Sequence, residues 1–180
     1  MSPLRWLLFG LFFPACLILL GQVIWSPAIG DRLLALALLL LCIDQSRAGV
    51  LDLEQTLLAQ TQTPDPRLDR FYRVTICTIA VALVGFYGAW ISLGFGAVII
   101  FCSQLGFHCT AGIRLETAEG LTILPWGVKQ RWLTLVANVI GVVLLGFWMQ
   151  AIAPLWMASL ILSMVLAYGV IKYVVPKQVG

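Results

Sequence analysis

The amino-acid sequence predicts an all-α polytopic membrane protein, with six transmembrane helices arranged as three hairpins in a single domain spanning residues 1–180. Three observations carry this. First, 61% of the 180 residues are hydrophobic and only 11% are charged, whereas a soluble domain stays near ~45–50% apolar and ~25% charged. Second, the charges leave long gaps: 25 residues between Arg5 and Asp31, 40 between Arg73 and Arg114, and 40 between Arg131 and Lys172. Third, all seven Trp fall near the ends of the predicted helices, where amphipathic rings prefer the headgroup layer. This composition excludes a disordered chain, a basic nucleic-acid binder and an ordinary cytosolic enzyme.

The gaps set the helices. A bilayer core is ~30 Å thick and takes about 20 helical residues. A straight 40-residue helix would run to roughly 60 Å, so each long gap must hold two helices. Spans are predicted near 5–25, 30–50, 71–91, 94–113, 132–150 and 154–174. The first is an anchor and not a signal peptide, because its apolar stretch of about 20 residues exceeds the ~7–15 of a signal's apolar region. Pro14 is a candidate kink in it, and Cys16 after Phe13-Pro14-Ala15 is a poor match to a lipidation box.

The second span is the hardest to assign. Leu33 to Ile43 has 11 uncharged residues, about 16 Å of helix. It crosses only by borrowing Ala28–Arg32 and Asp44–Val50, with Arg32 and Arg47 snorkelling toward the headgroups. With six spans, ten of the eleven basic residues lie on one face and Arg32 alone on the other, a positive-inside bias that puts both termini in the cytoplasm. A five-span alternative, with this segment on the surface, scores equally; there Arg5 is the outlier and the N-terminus faces out. The leucine-rich stretch and the three matching hairpins favour six.

The third and fourth spans turn at Ser92-Leu93-Gly94-Phe95-Gly96, where glycines supply the positive φ of a tight reversal. The fifth and sixth turn at Gln150-Ala151-Ile152-Ala153-Pro154, with the proline opening the last helix. Two cytoplasmic loops, about 51–70 and 114–131, are too small to carry a core. In the first, Val50, Leu51, Leu57 and Leu58 keep helical spacing, so either the second helix continues or an amphipathic segment lies on the surface. Asp65-Pro66 reads as an N-cap with proline at the first helical position, and Asp69 can pair with Arg73 four residues on. In the second loop, Ile123-Leu124-Pro125-Trp126-Gly127 suggests a dip back into the headgroups.

Polar groups within the bilayer are costly, and each is a site hypothesis. Asp44 and Arg47 are three apart and can neutralise each other. Gln104 and His108 share one helix face, with Cys102 and Ser103 nearby. His108 is the single histidine and a candidate ligand for haem or chlorophyll, but it has no second histidine or nearby carboxylate, and a structural hydrogen bond is the preferred reading. Gln22 and Gln150 lie within a turn of the outer face, within reach of water. Asn138 is expected to make an interhelical hydrogen bond. The five cysteines stand singly and read as packing residues. Small residues form two rows, Gly85, Gly88 and Ser92 on the third helix and Ser159, Ser163 and Ala167 on the last, which let helices approach closely within a bundle or a partner complex. No catalytic motif appears, so an enzyme is not expected, and no cofactor or metal is predicted.

The stretch Leu105-Gly106-Phe107-His108-Cys109-Thr110-Ala111-Gly112-Ile113, with Gly94 before it and Pro125-Trp126-Gly127 after it, resembles a group of uncharacterised cyanobacterial integral membrane proteins. His108 stands where that group is expected to carry asparagine. The resemblance implies a thylakoid or plasma membrane and brings no activity with it. Together these readings predict a non-catalytic accessory or assembly factor, partnered by the bilayer and by a larger membrane complex or further copies of itself, and not by nucleic acid. The alternatives are a small-solute transporter or channel and, third, a pigment or haem binder through His108.

Overall fold

In the computed structural model the chain is described over residues 2–116 and 122–174; Glu119 and Lys177, counted among the charges above, lie outside that range. The fold is helical apart from one short hairpin. Its elements are α1 (Pro3–Trp25), α2 (Ile29–Gln62), α3 (Pro66–Gly88), α4 (Leu93–Thr110), β1 (Ile113–Glu116), β2 (Thr122–Pro125), a 3₁₀ turn (Val128–Arg131), α5 (Trp132–Met149) and α6 (Pro154–Tyr173). Six helices are long and apolar enough to cross a membrane. Consecutive helices pack as pairs, α1 on α2, α3 on α4 and α5 on α6, and α2 also packs on α3 and α6.

Two ends of the bundle differ in character. Connections of three or four residues at 26–28, 89–92 and 150–153 close one, the tight-turn end, where Gly30 meets Pro154 and Gly94 meets Trp148 and Met149. The other, the basic end, gathers Arg5, Glu54, the β1–β2 hairpin, Arg131 and Lys172. Arg32, the one basic residue at the tight-turn end among the described residues, donates from Nε to the Ser26 carbonyl at 2.6 Å, satisfying the end of α1.

The second helix is longer than expected. At ~1.5 Å per residue its 34 residues reach about 51 Å. No glycine or proline interrupts Val50 to Gln62, so the helix runs on where the first loop was expected at 51–70. Only Thr63–Asp65 separates α2 from α3. Asp65 accepts from the Arg67 amide at 2.8 Å and Pro66 sits at the first helical position, as the N-cap reading required. Asp69 does not pair through its carboxylate with Arg73: it accepts from Gln60 Nε2 at 2.7 Å, and Arg73 Nε reaches only its backbone carbonyl.

The helical overhang explains a second departure. Ala59 on α2 packs with Leu68 and Phe71 on α3 and with Ala111 and Ile113 beside the hairpin, a small cluster apart from the main core. Neither segment holds a core alone; together with the first turns of α3 they do. Ile123–Pro125, from the segment expected to dip into the headgroups, belong to β2, which pairs antiparallel with β1, Ile113 opposite Pro125 and Leu115 opposite Ile123.

Glycines also act differently from expectation. Gly94 and Gly96 lie inside α4, and neither has positive φ. They allow close approach instead: a Cβ on Gly96 would sit 2.5 Å from the Ala89 nitrogen and the Gly85 oxygen, and one on Gly94 would sit 2.7 Å from Met149 Cγ. The positive φ values fall at Gly112, Ala151 (57°) and Ala153 (45°), so the α5–α6 turn carries left-handed backbone on residues that pay for their Cβ. The helix α1 continues through Pro14.

Candidate functional site

The polar interior lies at the basic end. Asp44 is buried, and its two carboxylate oxygens accept from Lys172 Nζ at 2.7 and 2.9 Å. The Tyr173 hydroxyl donates to the same carboxylate. Arg47, the expected partner of Asp44, turns outward and lays its guanidinium 4.9 Å above the Tyr173 ring. The ion pair therefore joins α2 to α6 across 128 positions, and not two neighbours on one helix. A lysine reaches a carboxylate with a compact, rotatable charge, so the last turn of α6 is fastened where its sequence is otherwise apolar.

Beside it lies a second centre that the sequence reading missed. Arg131 is buried at 8% exposure, donates from Nη2 to the Ile113 carbonyl at 2.8 Å, and lies 5.3 Å above the Phe107 ring. Its Nη1 lies 3.4 Å from His108 Nδ1. A guanidinium has only donors, so Nδ1 is the acceptor and Nε2 carries the ring proton. The lone pair that a haem iron or chlorophyll magnesium would need thus faces a cation. Phe107 closes the other side, ring centroids 5.5 Å apart and edge-on.

Gln104 shares the helix face with His108 but does not bond to it; its Nε2 and the Nε of Arg131 are buried without a hydrogen-bond partner among the described residues. Asp52 is in the overhang of α2. It lies about 35 Å along α2 from Ile29, a distance greater than the ~30 Å thickness of a bilayer core. Burial pushes its carboxyl up to about 6, while Lys172 and Arg131 pull it down.

The remaining candidates separate. Asn138 is buried, yet its amide donates at 2.8 Å to Thr134 of its own helix and not across to another. Interhelical bonds come instead from Ser103 Oγ to the Thr78 carbonyl at 3.0 Å and from the Tyr87 hydroxyl to the Leu11 carbonyl at 2.8 Å. In the first small-residue row Gly85 packs tightly, with a Cβ there placed 2.7 Å from Ile100; Gly88 faces open space, and Ser92 caps α4. The second row does not pack within the chain. Ser163 and Ala167 are exposed and Ser159 half-buried, both serine hydroxyls donating 2.8 Å back to their own helix. Ala158, Ile161 and Val165 form the packed face of α6. Cys16 and Cys42 are not isolated from each other: their sulfurs approach to 3.4 Å between α1 and α2.

Chemically, the site pairs Asp44 with Lys172 and holds Arg131 on a carbonyl, a ring nitrogen and an aromatic face. Among the described residues no three His, Cys, Asp or Glu side chains gather to hold a metal ion. Toward the tight-turn end the core is Leu19, Leu34, Leu38, Phe86, Ala97 and Leu145, all buried and apolar. No protein-family model matches the chain, and no curated protein or solved structure matches it.

Proposed function

We propose that this chain is a non-catalytic integral membrane protein that packs against a larger membrane complex as an accessory or assembly factor. It crosses the bilayer six times, with both termini on the cytoplasmic side of a bacterial inner or thylakoid membrane. The observation that carries this reading is the uneven cover of the helices. About a third of the membrane-length stretches of α2 and α4 is buried within the chain, but only 11% of those of α5 and α6. The open side of α6 carries Ser159, Ser163 and Ala167, small side chains whose hydroxyls are already satisfied. Such a face lets a second helix come close at no desolvation cost to the serines.

The central place of α2 supports six spans over five, since Leu34, Ala35, Ala37 and Leu38 are fully buried. A transporter would need a polar path through the bundle, and the apolar half-core speaks against one. The Arg131–His108 contact speaks against pigment ligation. Affinity purification of the full chain in mild detergent tests the reading. Stoichiometric membrane-protein partners are expected, with no pigment absorbance; a partner-free protein that moves a solute in liposomes would overturn it.

A further inference from the structure

The unpaired outer face of α2 carries a fork. One open groove of about 370 Å³ runs between α2 and α6, past Leu40, Val165 and Leu166. Another of about 590 Å³ runs between α1 and α2, past Phe9, Phe13 and Cys16. The two share Ile43 and Arg47; from there the first follows α2 back to Leu40, and the second reaches Cys16 in one direction and Val50 and Leu51 in the other. Arg47 is 18 residues beyond Ile29, about 27 Å along α2, which is where acyl chains give way to headgroups.

We infer that this fork is a binding site for one anionic diacyl phospholipid, with the phosphate on Arg47 and one acyl chain in each groove. Charge decides the headgroup. Arg5 is held by Glu54 in a two-pronged bridge of 2.7–3.1 Å, and Lys172 is held by Asp44. Arg47 alone of these has no carboxylate among the described residues, only the face of Tyr173, so their charges leave the fork one unbalanced cation. A guanidinium offers paired donors to phosphate oxygens. Both of these carboxylates are engaged, so among the described residues none beside the fork is left to receive the cationic amine of a zwitterionic headgroup. Trp6 and Tyr173, 63% and 49% exposed at the rim, suit the same layer.

The test uses the full-length protein, stripped of lipid in detergent, with retained lipid counted by native mass spectrometry against phosphatidylglycerol, phosphatidylcholine and inorganic phosphate. One phosphatidylglycerol is expected to be held at least about tenfold more tightly than phosphatidylcholine, the worth of one charge-assisted contact. Arg47→Gln should remove that preference, and Arg70→Gln, at an exposed arginine with no ion pair among the described residues, should keep it. Gly169→Phe fills the α2–α6 groove from a glycine with open space around it, and should weaken phosphatidylglycerol with Arg47 intact. Equal retention of the two lipids, equal effects of Arg47→Gln and Arg70→Gln, no effect of Gly169→Phe, or binding of inorganic phosphate as tight as that of the lipid would each overturn the proposal.

Discussion

Asp44 shows what a single carboxylate costs and how that cost is met. It is buried among leucines, and Lys172 and Tyr173 satisfy it from a helix far along the chain. Removing one partner of such a pair is worse than removing both, because the survivor is left charged and desolvated. Lys172→Met should therefore cost about 2 kcal/mol, less than a fully buried pair because the lysine is partly exposed. Asp44→Asn with Lys172→Met should recover most of that loss, and thermal unfolding in detergent checks both. Asp52 gives the pH dependence. Its carboxyl titrates near 6 when folded but near 3.9 in an unfolded chain, so the folded state binds more protons between those values. Its contribution is most favourable below about pH 4 and is lost as pH rises through 6. Asp52→Asn should raise the melting temperature at pH 7.5, on the order of 2 kcal/mol, and leave it unchanged near pH 4. A loss at pH 7.5 would mean that Arg131 and Lys172 need the anion more than burial opposes it.

At the scale of the element, the glycines of α3 and α4 are the clearest test. Gly96→Leu must push against the backbone of Ala89 and Gly85, and should cost about 2 kcal/mol or more. Gly88→Ala, with nothing within 4 Å, should be neutral or stabilising. In the α5–α6 turn, Ala153→Gly should gain about 0.5–1 kcal/mol by relieving a left-handed alanine. Helix count, the Asp65-Pro66 cap and the Pro154 start were legible because charge gaps and capping chemistry are local. The role of Gly94 and Gly96 was not. A sequence shows that a Cβ is absent, but not whether a turn or a neighbouring backbone required it. The β1–β2 pair was hidden for a similar reason, since four-residue strands carry too little alternation to read. The partners of Asp44 and His108 stand 128 and 23 positions away, and no spacing rule reaches across helices.

At the scale of the whole molecule, polarity is sorted along the bundle axis and burial across it. Charges meet at the basic end, apolar side chains fill the other half, and α5 and α6 stand at the margin with little cover. That arrangement is what the proposed role as a packing partner rests on, with the outward row on α6 as its proposed contact. Size in a mild-detergent extract tests this most directly, comparing the native chain with Ser163→Trp, which adds bulk to an exposed position and disturbs nothing inside. The native 19.8 kDa chain should migrate as part of a much larger assembly, and the variant should shift to the size of the single chain in its detergent belt at unchanged melting temperature. Native protein running as a single chain, or a variant that stays in the large assembly, would contradict the account.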